Sequence, residues 1–239
     1  MGSNKKTARI AGLLYLIVIL TGTFNLGYVP DKLIVWGNAA ATFKNITDSE
    51  MLFRLGILSG LICYLAFLLL PFVLYQLLKQ VNKTSAILMV ILSAVSVPIS
   101  LVNTLNKFAV LNLLSKSDYL KVFEIEKLQS QVMLYLHSYE NGNQIASIFW
   151  GLWLLPFGYL VCKSGFLPKF LGILLMIGCF GYLINFTGGF LFKDSYNKTI
   201  ISDYVTLPAS LGEVGTCLWL LIMGVKEKKH TTENNLNSI

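Results

Sequence analysis

The chain has 239 residues, 55% hydrophobic and only 13% charged, with a formal net charge of +7. A soluble domain carries about 25% charged residues, so these side chains cannot assemble a water-facing surface. The basic residues punctuate apolar runs and form no face or arm, which argues against nucleic acid as a partner.

Residues 1–8 form a short polar start carrying Lys5 and Lys6. The apolar run 9–29 follows, at about twenty residues longer than a signal core of roughly 7–15, and reads as an uncleaved first span. In the connection after it, Asn38 is placed to cap a short helix "AAATFKNI", and Thr47 and Glu50 have capping-box spacing at the start of the next run. Further spans are expected over about 51–78, 85–113, 130–162, 167–190 and 206–225. Between the third and fourth, "SKSDYLKVFEIEKLQSQV" is expected to wind into helix before reaching the bilayer. The tail 226–239 is charged, then Asn- and Thr-rich, and reads as disordered. The expected fold class is all-α: a polytopic membrane helix bundle of six transmembrane helices over 9–225, with short amphipathic helices on the outer side.

The shortest connections, "KQVNK" and "KSGFLPK", are basic, which by the positive-inside bias puts them and both termini in the cytoplasm, in a bacterial inner or plasma membrane. Cys63, Cys162, Cys179 and Cys217 all lie in or beside apolar runs without CxxC spacing, and read as buried reduced thiols. No cofactor is expected. Tyr28, Tyr75, Tyr159, Tyr204 and Trp219 sit mostly near span ends, as interfacial anchors do.

Ionisable and amide side chains at membrane depth face a bundle interior or a wet cavity. At 1.5 Å per residue from the cytoplasmic ends, Glu213 lies roughly 20 Å up, Asn185 roughly 24 Å, Asn103 roughly 27 Å with Lys107 one turn higher, and Gln144 roughly 28 Å. Arg54 stands higher still. The polar residues crowd into the outer half, while Pro71, Pro98 and Pro156 lie at or below mid-membrane. "HSYENGNQ" (137–144) belongs to the same pattern. At 100° per residue His137, Glu140, Asn141, Gln144, Ser147 and Gly151 share a stripe roughly 120° wide, with Tyr139 outside it, so the segment reads as an extension of the fourth span.

These residues support more than one chemistry. Glu213 either pairs with Arg54 or Lys107 to fix packing, or serves a binding site. His137 and Glu140 have the i, i+3 spacing of two metal ligands, but the other histidine, His230, is in the opposite tail, so no metal site is expected. An intramembrane hydrolase using Ser210 with His137 is the weakest reading, since no nucleophile elbow is present.

The segments "KKTARIAGLLYLIVILTGTF", "SEMLFRLGILSGLI", "GYLVCKSGFLPKFLGILLMIGCFGYLI" and "LGEVGTCLWLLIMGVK" resemble, in order and spacing, a bacterial membrane family known as domain of unknown function 4386. The resemblance implies a several-span integral membrane protein and carries no activity or catalytic residue. The expected function is a non-enzymatic membrane protein whose outward-facing polar cavity, lined by Arg54, Asn103, Lys107, Gln144, Asn185 and Glu213, binds a small polar molecule, a lipid headgroup or a partner. The stripe of His137, Glu140 and Asn141 stands above it. A small-solute transporter or channel is the alternative. Membrane lipids are the expected surroundings, and no pattern specifies an oligomeric state.

Overall fold

The computed structural model describes residues 3–115, 117–196 and 198–225. The tail 226–239, with His230, lies outside the described residues, among which there is helix and no strand. Six helices are long and apolar enough to span a membrane: α1 Asn4–Leu33, α3 Glu50–Leu78, α4 Lys83–Leu114, α5 Ile125–Ser164, α6 Lys169–Leu191 and α7 Ile200–Ile222. A shorter helix, α2 Ala39–Asp48, lies between α1 and α3 and buries Thr42 and Ile46.

Local chemistry sets the ends. Asn38 caps α2, its Oδ1 accepting from the Ala41 N–H at 2.9 Å, and Asn82 starts α4 in the same way on Ser85 at 2.8 Å. Gly165 closes α5 in the left-handed region at φ 73°, and Pro168 then opens α6, so the "KSGFLPK" connection is a tight reversal. The expected capping box does not form. Thr47 is still inside α2, donating to the Phe43 carbonyl, and Glu50 is engaged by Arg54 one turn along α3. Helix α2 simply runs later than the sequence suggested, consuming the residue that would have been the cap.

The spans form a closed ring in chain order. Each packs on the next, α1 on α3, α3 on α4, α4 on α5, α5 on α6 and α6 on α7, and α7 packs back on α1. At the end bearing the short basic connections, the ring is filled by an aromatic cluster. Trp153 stacks on Phe157 at 5.0 Å, takes Phe67 edge-on at 5.2 Å and meets Tyr15 at 6.2 Å. Around it the buried Leu70, Leu74, Leu154 and Leu160 complete the core. A second core under α2 joins Val29, Ile46, Phe53, Ile57, Val110 and Leu136. The outward faces carry exposed aliphatics such as Leu13, Leu65, Leu88, Ile177 and Leu218, the arrangement for a hydrocarbon solvent.

Between α6 and α7 the contact is made by small residues. A Cβ on Gly178 would meet Ala209 Cα at 2.6 Å, one on Gly212 would meet Leu175 N at 3.0 Å, and Gly181 lies against the Val205 carbonyl. Without a hydrophobic driving force between helices in lipid, such close backbone approach supplies dispersion contact.

Candidate functional site

At the end opposite the basic connections, the ring opens into a cavity of about 730 Å³. The size is in the range of small-molecule sites. Its walls come from the far end of α1 (Leu26, Val29, Pro30), from Phe53 and Lys107, from one face of α5, and from Asn185, Phe186 and Gly189 of α6. Segment 137–144 lies within helix α5, and His137, Glu140, Asn141, Gln144 and Ser147 all face this cavity. Gly151, assigned to the same stripe, instead lies against Tyr182 of α6.

Lys107 is the central charge. It is only 2% exposed, yet it lines the cavity. Its Nζ donates to Asn25 Oδ1 at 2.7 Å and lies 4.2 Å from the centre of the Tyr139 ring, a cation–π distance. Asn25 Nδ2 in turn donates to the Tyr139 hydroxyl at 3.2 Å, and that hydroxyl is 3.3 Å from the Tyr64 hydroxyl. A second amide group sits behind: Asn103 Nδ2 donates to the Tyr139 carbonyl at 2.8 Å and to Asn143 Oδ1 at 3.1 Å, and Asn106 Nδ2 donates to Asn103. Each of these groups has at least one partner within the network, as buried polar groups require.

Two glycines make room for this network. A Cβ on Gly60 would meet Asn25 Nδ2 at 2.8 Å, and one on Gly142 would collide with the Asn103 amide. Gly142 therefore admits a neighbour; α5 runs through it without interruption as helix. Asn25 itself stands in a widened π-helical turn of α1, Phe24–Tyr28. Such turns are frequent at functional sites.

The expected lining divides. Lys107, Gln144 and Asn185 line the cavity, and Asn103 buttresses it from behind. Arg54 does not reach it. Its side chain is 54% exposed and paired along the helix with Glu50 at 2.7 Å, because its position on α3 points outward. Glu213 belongs to a smaller, deeper cavity of about 260 Å³. It pairs with neither Arg54 nor Lys107, and instead its Oε1 accepts from the Tyr15 hydroxyl at 3.0 Å. Ser210 lines that smaller cavity and His137 the larger one, so the two do not form a nucleophile and base. His137 packs its ring on Trp36 at 4.8 Å.

Asn25, Asn143 and Tyr64 escaped the sequence reading, and Tyr139, set outside the polar stripe there, lines the cavity. Asn25 is 16 residues above Arg9, roughly 24 Å into the membrane by helical rise, and the same depth argument applied to α1 would have found it. Tyr139 and Asn143 stand at i and i+4 on the flank of the stripe, as Asn103 and Lys107 do on α4, and matching these pairs was the available signal.

No solved structure matches this chain. A protein of Archaeoglobus fulgidus described as "Uncharacterized protein" is 39% identical over 79 residues, which cover 33% of this chain and 44% of that protein, so the match spans less than half of the relative's length. The family described as "Domain of unknown function (DUF4386)" matches residues 10–224, nearly all of the six-helix ring, and the chain belongs to that family.

Proposed function

We propose that this is a non-enzymatic binding protein of a cell membrane, of the bacterial inner-membrane type, that holds a small polar ligand in the larger cavity. The observation that carries the reading is Lys107: a cation 2% exposed, on a cavity wall, hydrogen-bonded to the Asn25 amide and seated on the Tyr139 ring. The ion pairs among the described residues, Arg54–Glu50, Lys121–Asp118 and Lys127–Glu124, do not include it. An ammonium has three N–H groups. One goes to Asn25 and the ring face accommodates another, which leaves one for an acceptor in the cavity. Charged groups at such depth are costly and are retained where they bind or pair.

The test is native mass spectrometry of the gently solubilised protein. Wild type is expected to carry a defined extra mass, Lys107→Met to lose it while remaining folded, and Arg54→Ala to keep it, since Arg54 stands outside the cavity. A bare wild-type protein, or an adduct indifferent to Lys107, refutes the proposal.

The cavity is outward-facing if both termini are cytoplasmic, as the basic short connections suggest. A reporter active only in the cytoplasm, fused after residue 225, is expected to be active; the same reporter inserted near Ser117 is expected to be silent. A small-solute carrier is the second reading, favoured by the two cavities lying in file. The aromatic floor of Tyr15, Phe67 and Trp153 favours retention over passage. Flux in vesicles decides between them.

A further inference from the structure

The two cavities share Leu26 and Trp150, so the smaller one continues from the larger toward the aromatic floor. It also opens sideways. Helix α7 contacts α1 toward the basic-connection end, where Leu220 and Leu221 cover Gly12 and the Cys217 Sγ lies 3.5 Å from the Gly12 carbonyl. The Tyr15–Glu213 bond is the next link up. Beyond it α7 stays on α6 through Gly212, Gly178 and Gly181, while Thr23 and Leu26 of α1 and Ser210 and Val214 of α7 are exposed at the rim of the small cavity. Thr23 is 14 residues from Arg9, roughly 21 Å along the helix, which is within the hydrocarbon layer. The gap between α1 and α7 therefore faces acyl chains.

The chemistry of the two chambers differs along the same axis. The small one is walled by Val18, Ile19, Cys63, Phe67, Trp153 and Val214, and its one carboxyl is occupied by Tyr15. The large one holds Lys107 and, on the residue after Tyr139, Glu140, which makes no salt bridge among the described residues. A cation and a carboxylate side by side but apart suit a head that carries both an anionic oxygen and an ammonium.

We propose that the two cavities are one site for a membrane amphiphile, with a phosphate or carboxylate oxygen on Lys107, an ammonium toward Glu140, and a hydrocarbon chain passing Leu26 and Trp150 to leave between α1 and α7. This rests on the larger cavity being a ligand site, and it adds the ligand's class and its route. An anionic oxygen could equally belong to a soluble solute, so the test separates head from tail.

The full-length protein in mild detergent is titrated, by native mass spectrometry, with lysophosphatidylethanolamine, which has head and tail, and with phosphoethanolamine, the head alone. The single-chain lipid is expected to bind at least about a hundredfold more tightly than the head, because its chain concentrates it in the detergent shell beside the gap and adds packing contacts along the small cavity. Lys107→Met is expected to weaken lipid binding roughly tenfold or more, Lys107→Arg to restore part of it, and Ser210→Trp, at an exposed rim position, to weaken the lipid but not the head. Equal affinity for head and lipid, with Ser210→Trp silent, overturns the amphiphile and leaves a polar-solute cavity standing. Lipid binding indifferent to both positions means adhesion to the outer face and overturns it as well. Binding of neither probe by folded protein removes the amphiphile, while an endogenous adduct lost in Lys107→Met would still uphold the polar site.

Discussion

An added methyl at Gly142 would fall on the Asn103 side-chain amide, whereas at Gly189 it would meet nothing within 4 Å. Both glycines are helical, and Gly189 lines the cavity. Gly142→Ala is therefore expected to destabilise the protein by about 1–3 kcal/mol through overpacking. Gly189→Ala is expected to be neutral or to stabilise by up to about 1 kcal/mol through helix propensity. Thermal unfolding in detergent compares the two, and equal shifts would remove the proposed role of Gly142. At this scale the sequence was partly legible. Depth alone singled out Lys107, Gln144 and Asn185, which line the cavity, and Asn103 behind it, because an apolar solvent makes any amide or charge conspicuous. Depth could not tell which way Arg54 points. Only its neighbour one turn back, Glu50, betrays that it already has a partner on the outer face.

Helix α1 departs from a regular α-helix in one place, the π-helical turn at Phe24–Tyr28. Such a turn is in effect one residue inserted into an α-helix. It lets Asn25 face Lys107 while Val29 and Leu33, beyond it, still join the core under α2. Deleting Gly27, where an added Cβ would meet nothing within 4 Å, removes the extra residue without removing a side chain. The deletion is expected to close the turn to plain α-helix, leaving Val29 and Leu33 on the core face while shifting Asn25 off Lys107. Helix content by circular dichroism should hold while the unfolding temperature falls. An unchanged unfolding temperature would mean that the turn has no such role. The helices themselves were legible because apolar length nearly suffices to define a span in lipid. The π turn was not, since "TFNLGYVP" reads as plain helix running up to its proline. Nor was the capping box refuted by anything in the sequence: Thr47 and Glu50 have the right spacing, and only the length of α2 displaces them.

For the whole molecule, the Tyr15–Glu213 bond joins the first span to the last across 198 positions of sequence. Its contribution is best measured as a coupling, since Tyr15 also packs on Trp153 and Phe157. A double-mutant cycle of Tyr15→Phe and Glu213→Gln is expected to give an interaction of about 0.5–1.5 kcal/mol, the scale of hydrogen bonds between helices in membranes. Additive single effects would show that the ring closes on packing alone. The order of helices around the ring follows from short connections, which make successive spans antiparallel neighbours. The closing contact between α7 and α1 is a different matter, because it needs Gly12 to accept Leu220 and Leu221, and no local pattern in either segment names the other.

That closing contact has a consequence for how the protein is made. A ribosome delivers the spans one after another, and each new helix finds its predecessor already in the bilayer. Helix α1 has one of its two ring neighbours from the second span onward and lacks the other until α7 is made. During that interval Gly12 and Tyr15 stand against lipid, and the chamber between α1 and α6 has no wall on one side. The arrival of α7 closes the groove on α1 and completes the inner chamber in a single event, because Ser210, Glu213 and Val214 of α7 form one of its walls.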